Sequence, residues 1–314
     1  MSNLLFSQGG ISDSTGLRGG QISHKLTGQY EPLILNYGDN INVKNKIIIV
    51  IKLMWNNFDL LTHLKNNGNK LVFDVVDLTD KDKFNPNENK EVPNFLPNIR
   101  EDFFDGYIVN NKRQKRWWRD NVDYDESKPI FVIPHHWDMR FEWFPKGYYN
   151  EPYFYFLGTD ASEGNKNQNC LHLNELQKEG FLDDWRKGGP PGVCRIFLDS
   201  PLNGCQLSIR KKKSWEYCMK PATKLSTSAA MDSVLITTND WTIRDLLSEP
   251  YPDYPYLLET SEYDEVVEMI KKVKKTFGKE EWNLAKDIMR KVKNDLSIDN
   301  VIKYYEEVDK YFSK

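Results

Sequence analysis

The run KIIIVIKL, in which Ile47 to Ile51 are all branched and apolar, constrains the chain more than any other stretch. A strand with one wet face alternates apolar and polar residues. Five apolar residues without alternation need cover on both faces, which is the setting of a parallel strand between helices. The run is too short for a bilayer, which takes about 20 apolar residues. Beyond it the chain repeats one pattern: NNFDLLTHLKNNGN reads as a helix closing at a glycine, and KLVFDVVDL as a strand. FFDGYIVNN, KRQKRWWRD and PIFVIPHHWD then read as strand, basic helix and strand. This alternation predicts a doubly wound parallel sheet, in which ligands gather at the carboxyl ends of the strands. His135, His136 and Asp138 stand at such an end.

The chain opens the same way, with a short apolar run NLLF, a turn-rich SQGGISDSTGLRGG and a helical LRGGQISHKL. Strand, glycine loop and helix begin many nucleotide-binding α/β domains, although the spacing here is not G-x-G-x-x-G. Around FEWFPKGYYNEP the periodicity is lost, as in an interdomain linker. A second α/β series runs through YFYFLGTDASEG, VCRIFLDS, GCQLSIR, KPATKLSTSAAMDSVLITTND and WTIRDLLS. From Ser261 onward the apolar spacing is helical almost throughout. With 314 residues, more than one core usually supports, the chain divides into two expected domains, residues 1–148 and 149–314.

Charge and cysteine content narrow the function. A net charge of −3, from 43 basic and 46 acidic side chains, gives no global attraction to nucleic acid or anionic membrane, so any polyanion site is local. Cys170, Cys194, Cys205 and Cys218 show no C-x-x-C pair and no histidine ladder for zinc, and read as reduced thiols. MSNLLFSQGG has neither a basic start nor a long apolar core. Together these point to a soluble, cytoplasmic chain.

The stretch from Lys220 to Asp240 is the richest in chemistry. Pro221 suits a first helical turn, and a helix starting beside Lys220, Thr223 and Lys224 brings amides, the positive dipole end and two ammonium groups together as a diphosphate seat. Ala229 and Ala230 allow close approach of helix and sheet. Spacing alone better describes a capped helix with two solvated lysines.

GCQLSIR, followed by KPATKLSTSAAMDSVLITTND and IRDLL…DYPYLLE, resembles the C-terminal half of GT-B-fold glycosyltransferases, and is broadly similar to glycosyltransferase family 4. The FSQGG…LRGGQIS and DGYIVNN…VIPHHWD segments resemble the N-terminal half. The resemblance implies two Rossmann-like domains, N-terminal for acceptor and C-terminal for nucleotide-sugar donor, with a final helical segment returning to the first. It implies sugar transfer from a nucleotide diphosphate sugar, UDP- or GDP-linked, to a hydroxyl acceptor on a glycan, glycoprotein or glycolipid, in the cleft between the domains. No metal and no further cofactor are expected. The donor residues it implies are Lys220, Thr223 and Lys224, with Gly158 and Lys166 in FLGTDASEGNK and Arg210 as a bidentate phosphate ligand. Gly9 and Gly10, with Gly19 and Gly20 behind them, would face the leaving diphosphate.

For acid–base work His136 and Asp138 are the best placed and Asp105 is next, since a histidine titrating near neutrality can take the acceptor's hydroxyl proton in an inverting reaction. His136 can equally be a strand-end histidine bonded to a carbonyl. The carboxylate triplets Asp80–Asp82 and Asp123–Asp125 lie in turn-like surroundings and are set aside as metal sites. The runs NNKRQKRWWRD and RKKKSW read better as an amphipathic helix and a solvated loop than as nucleic-acid contacts, so no stable nucleic-acid partner is expected. The rival readings are a DNA-modifying glycosyltransferase, an epimerase of the same architecture, and a non-catalytic glycan- or nucleic-acid-binding module.

Overall fold

The structure is a computed structural model. It describes residues 4–7, 16–27, 42–51, 58–76, 103–121, 125–143, 146–147, 150–157, 170–185, 200–201, 204–211 and 220–314. The chain divides into two compact units, one of Met1–His136, Met219–Pro221 and Ser297–Lys314, the other of Trp137–Cys218 and Ala222–Leu296.

The first unit is built on a parallel five-stranded sheet of β1 (Leu4–Phe6), β2 (Ile47–Ile51), β3 (Lys70–Asp74), β4 (Gly106–Val109) and β5 (Ile130–Val132). Every residue of β2 is buried, which accounts for the absence of alternation in its sequence. The described strands lie side by side in chain order, so the reversal of a doubly wound sheet is not among them. Each crossover lands one position further in the same direction. A π-turn (Gly16–Gln21) leads into helix α1 (Ile22–Thr27); α2 (Phe58–Asn66) buries Leu61 and Leu64 and ends at Gly68, whose φ of 77° suits glycine alone. In α3 (Lys112–Asn121) the start is written in the sequence: Asn111 Oδ1 accepts the Gln114 N–H at 2.7 Å, and Gln114 Oε1 accepts the Asn110 N–H at 2.8 Å.

The second unit has its own parallel sheet. After the short β6 (Lys146–Gly147) come β7 (Tyr153–Phe156), β8 (Asp184–Trp185), β9 (Ser200–Pro201), β10 (Gly204–Ser208), β11 (Val234–Thr238) and β12 (Leu257–Leu258). The order is β12-β11-β10-β7-β8, with β6 and β9 a separate parallel pair. Here the reversal is present: from β7 the chain steps to β8 on one side and then returns to build β10, β11 and β12 on the other. Helix α4 (Leu173–Lys178) comes after β7, and α5 (Thr223–Ala230) joins β10 to β11. The helix α6 (Trp241–Ile243) runs on as a π-turn to Ser248. Then α7 (Tyr263–Thr276) and α8 (Glu280–Asp295) bury Val266, Ile270, Trp282, Ala285 and Met289 in the unit's core. The last helix, α9 (Ile298–Phe312), belongs to the first unit, where Tyr305 packs edge-on against Phe6 at 5.3 Å. No helix among the described residues is long and apolar enough to cross a membrane.

Candidate functional site

In the second unit the strand order reverses between β7 and β10, the switch point beside which open parallel sheets take their ligands. Helix α5 aims its amino end toward that edge, because its other end closes through Ser233 N–H to Ser228 O directly before β11 begins. Its N-cap is Ala222, which has no side-chain acceptor and makes no side-chain cap hydrogen bond. Pro221 stands just before the cap rather than in the first turn. The Lys224 ammonium lies 5.0 Å from the ring centre of Phe156, the last residue of β7. Thr223 and Lys224 are both partly exposed. Lys220 is partly buried and groups with the first unit.

Arg210 stands at the end of β10, where the sequence places it, but its task is different. Its guanidinium is buried and bonded to the Asp240 carboxylate, and its backbone N–H donates to Thr238 Oγ1 at 3.1 Å. Asp240 also caps α6 by accepting the Ile243 N–H at 2.8 Å. The pair therefore ties β10 to the turn after β11, and Arg210 is an anchor at the strand end rather than a ready phosphate fork. Beside it, Cys170 Sγ accepts the Ile209 N–H at 3.3 Å; burial lifts this thiol to about 12 against the opposite pull of Lys224 and Arg210, so it stays protonated.

In the first unit a buried polar cluster occupies the carboxyl edge. Arg18, from the π-turn, is 1% exposed and directs Nε to Asp74 Oδ2 at 2.6 Å, Nη1 to Asn110 Oδ1 at 3.2 Å, and both terminal nitrogens to the Ile133 carbonyl at 3.3 Å. Tyr305 closes the cluster by bonding with Asp74 and Arg18. Nearby, Val76 holds a φ of 53°, a left-handed conformation rare for a branched residue, with its N–H on Asp74 Oδ1 and its carbonyl on Asn110 Nδ2. His135 Nδ1 lies 3.5 Å from Arg18 Nη1, and His136 Nε2 lies 3.2 Å from Gln21 Oε1. Burial first, then the Arg18 charge, then His136 hold His135 well below the usual histidine range.

Both of the other proposed acid–base carboxylates are engaged in ion pairs. Asp105 precedes β4 and so sits at the amino edge of the sheet, where it pairs with Lys65 at 2.7 Å and Lys70 at 3.5 Å and accepts the Leu71 N–H at 2.8 Å. Asp138 belongs to the second unit and is taken up by Arg140, whose Nε lies 2.9–3.0 Å from both carboxylate oxygens. Gly9, Gly10, Gly158 and Lys166 lie outside the described residues. Gly19 is held for packing, since a Cβ there would meet Ile51 Cδ1 at 3.0 Å and Ser7 O at 3.1 Å. Trp117 and Trp118 of the basic helix are buried, which removes them as stacking surfaces.

No protein-family model and no curated protein sequence matches the chain. Among solved structures, the chain is similar to Anabaena HepE in complex with UDP and glucose, with a TM-score of 0.62 and 9% identity over 98% of this chain and 99% of that one. It is similar also to sucrose-phosphate synthase from Thermosynechococcus elongatus, at a TM-score of 0.54 and 9% identity over 95% and 77% of the two chains. The pneumococcal O-GlcNAc transferase GtfA in complex with UDP and GlcNAc gives a TM-score of 0.54 at 10% identity over 84% of this chain, which spans 57% of that chain's length. The chain has the GT-B fold. Identities of this size speak for the architecture alone. Within the GT-B fold, the switch point between β7 and β10 lies in the C-terminal Rossmann-like unit and the Arg18 cluster in the N-terminal one.

Proposed function

We propose that the protein is a glycosyltransferase, similar to family 4, that moves a hexosyl or pentosyl group from a UDP- or GDP-linked sugar to a hydroxyl acceptor without an essential metal. The observation that carries this reading is the amino end of α5, an alanine N-cap without a side-chain cap hydrogen bond and Lys224 beside it, at the switch point of the C-terminal sheet. An uncapped helix start is less stable by about 1 kcal/mol unless another acceptor is supplied, and a diphosphate is such an acceptor. The difficult part of glycosyl transfer is the negative charge that grows on the departing diphosphate as the anomeric bond breaks. Fixed amides and an ammonium group oppose that charge without reorganising. Thr223 contributes a hydroxyl beside them. His136, in the N-terminal unit, is assigned to the acceptor hydroxyl. Structural neighbours solved with UDP and a sugar support the reading.

Lys224→Ala tests it. UDP or GDP should raise the wild-type melting temperature, and slow hydrolysis of one nucleotide sugar should release free nucleoside diphosphate. The variant should weaken nucleotide binding about tenfold or more, the scale of one charge-assisted hydrogen bond. Interconversion of the donor without nucleotide release would identify an epimerase instead, and stabilisation by DNA alone would remove the enzyme reading.

A further inference from the structure

Helix α3 carries its charge in an arrangement that works against the helix itself. Lys112, Lys115, Arg116 and Arg119 recur at the i, i+3, i+4, i+7 spacing of one face. The opposite positions, Gln114, Trp117 and Trp118, are buried, and Trp118 lies against Tyr107 of β4 with ring centres 5.5 Å apart. Lys112, Arg116 and Arg119 are exposed and Lys115 is half-buried. Two like-charge pairs, Lys112 with Arg116 and Lys115 with Arg119, thus stand one turn apart, which weakens a helix. The first turn holds Lys112 and Arg113 and no acidic residue, against the direction of the helix dipole. The repulsion is felt at Lys115, whose proton is held less tightly than usual, through burial first and the Arg119 charge second.

Other helices of the chain compensate their cations. On α7 Lys271 pairs with Glu268 at 2.7 Å, and on α8 Arg290 pairs with Asp287 at 2.6 Å. Among the described residues Lys115, Arg116 and Arg119 have no such partner; Asp120, the one acid of α3, stands at its far end and makes no ion pair with them. An external anion would relieve this repulsion, and what the face lacks narrows the choice. The tryptophans are buried, so no ring is offered to a base. No apolar side chain of α3 is exposed, so nothing enters a bilayer. A bilayer also meets a whole side of a chain whose net charge is −3, whereas a polymer strand can follow a single helix.

We propose that the Lys112, Lys115, Arg116 and Arg119 face of α3 is a docking surface for an anionic glycan, a strand with carboxylate or sulfate groups on successive sugars. The choice of a glycan among polyanions rests on the transferase reading, which calls for a glycan or its conjugate as acceptor.

The test titrates the full chain with a heparin oligosaccharide, with a neutral dextran oligosaccharide of equal length as control. The wild type should bind heparin and not dextran, and more weakly as salt rises. Arg116→Gln combined with Arg119→Gln should weaken binding about tenfold, the scale of two exposed ion pairs. Its melting temperature should be unchanged or higher, because like-charge repulsion is removed. Arg116→Lys with Arg119→Lys keeps the charge and should bind within about threefold of wild type. Lys271→Gln with Arg290→Gln removes as much positive charge from paired positions and should leave heparin binding unchanged. Equal affinity in the wild type and the Arg116→Gln, Arg119→Gln variant, or an equal loss in the Lys271→Gln, Arg290→Gln variant, overturns the inference. So does tighter binding, lost with the same two arginines, to double-stranded DNA or to vesicles of equal parts phosphatidylcholine and phosphatidylserine. Heparin binding by a protein that neither UDP nor GDP stabilises upholds the surface and overturns the transferase reading. Stabilisation by one of those nucleotides without heparin binding does the reverse.

Discussion

Two buried ion pairs, Arg18–Asp74 and Arg210–Asp240, define the carboxyl edges of the two sheets. Neither is legible in the sequence. Their partners lie 56 and 30 residues apart, and no local spacing announces a contact of that range. The visible signal is an arginine inside a glycine-rich turn, where the glycines draw attention first. Removing one member of such a pair leaves a buried charge alone, so Asp240→Ala should destabilise the protein by about 3–5 kcal/mol in urea denaturation. His135 gives a pH dependence of known sign. It stays neutral in the fold well below 6.5, whereas in the unfolded chain it titrates near that value. Below pH 6.5 the unfolded state takes a proton that the native state refuses. Its contribution is therefore intact above the unfolded value and is lost as pH falls, by up to about 1.4 kcal/mol per unit. Denaturation of wild type and His135→Gln at about pH 7.5 and about pH 5.5, on either side of the free histidine value, should show the shallower decline in the variant.

Elements are easier to read than contacts. The unbroken apolar run of β2 and the helical spacing after Ser261 both rest on local periodicity, and both reappear in the structure. What periodicity does not convey is which end of a strand a residue occupies. Asp105 reads as a companion of His136 and stands instead at the opposite edge, one residue ahead of β4. Helix α5 combines both lessons. Its far end is closed by Lys286 and Lys293, which bond Asp232 O and Ala230 O, as cations at a helix carboxyl terminus should. Its near end is left with an alanine cap. Ala222→Asp would supply the missing acceptor, so the variant should gain about 0.5–2 kcal/mol in stability. The same carboxylate competes with phosphate for the amides, so nucleoside diphosphate should stabilise the variant less than wild type. A gain in stability without loss of nucleotide binding would separate α5 from the donor site.

At the scale of the whole molecule, the two-unit α/β plan comes from alternating strand and helix signals, and the GT-B fold from the residues around KPATK. Strand order does not, because crossovers of similar length lead equally to the next position or back past the first strand. Among the described strands, the sequential order of the N-terminal sheet and the reversal in the C-terminal one decide which unit offers a switch point. Whether that switch point holds a nucleoside diphosphate is measured most directly by thermal unfolding of wild type and Lys224→Ala with UDP, with GDP and with neither. A ligand that binds only the folded chain stabilises it by about 2.7 kcal/mol at about a hundred times its Kd. The account predicts a rise in melting temperature with one of the two nucleotides in the wild type and a much smaller one in the variant. Equal melting temperatures in all three conditions, or an equal rise in Lys224→Ala, would contradict it.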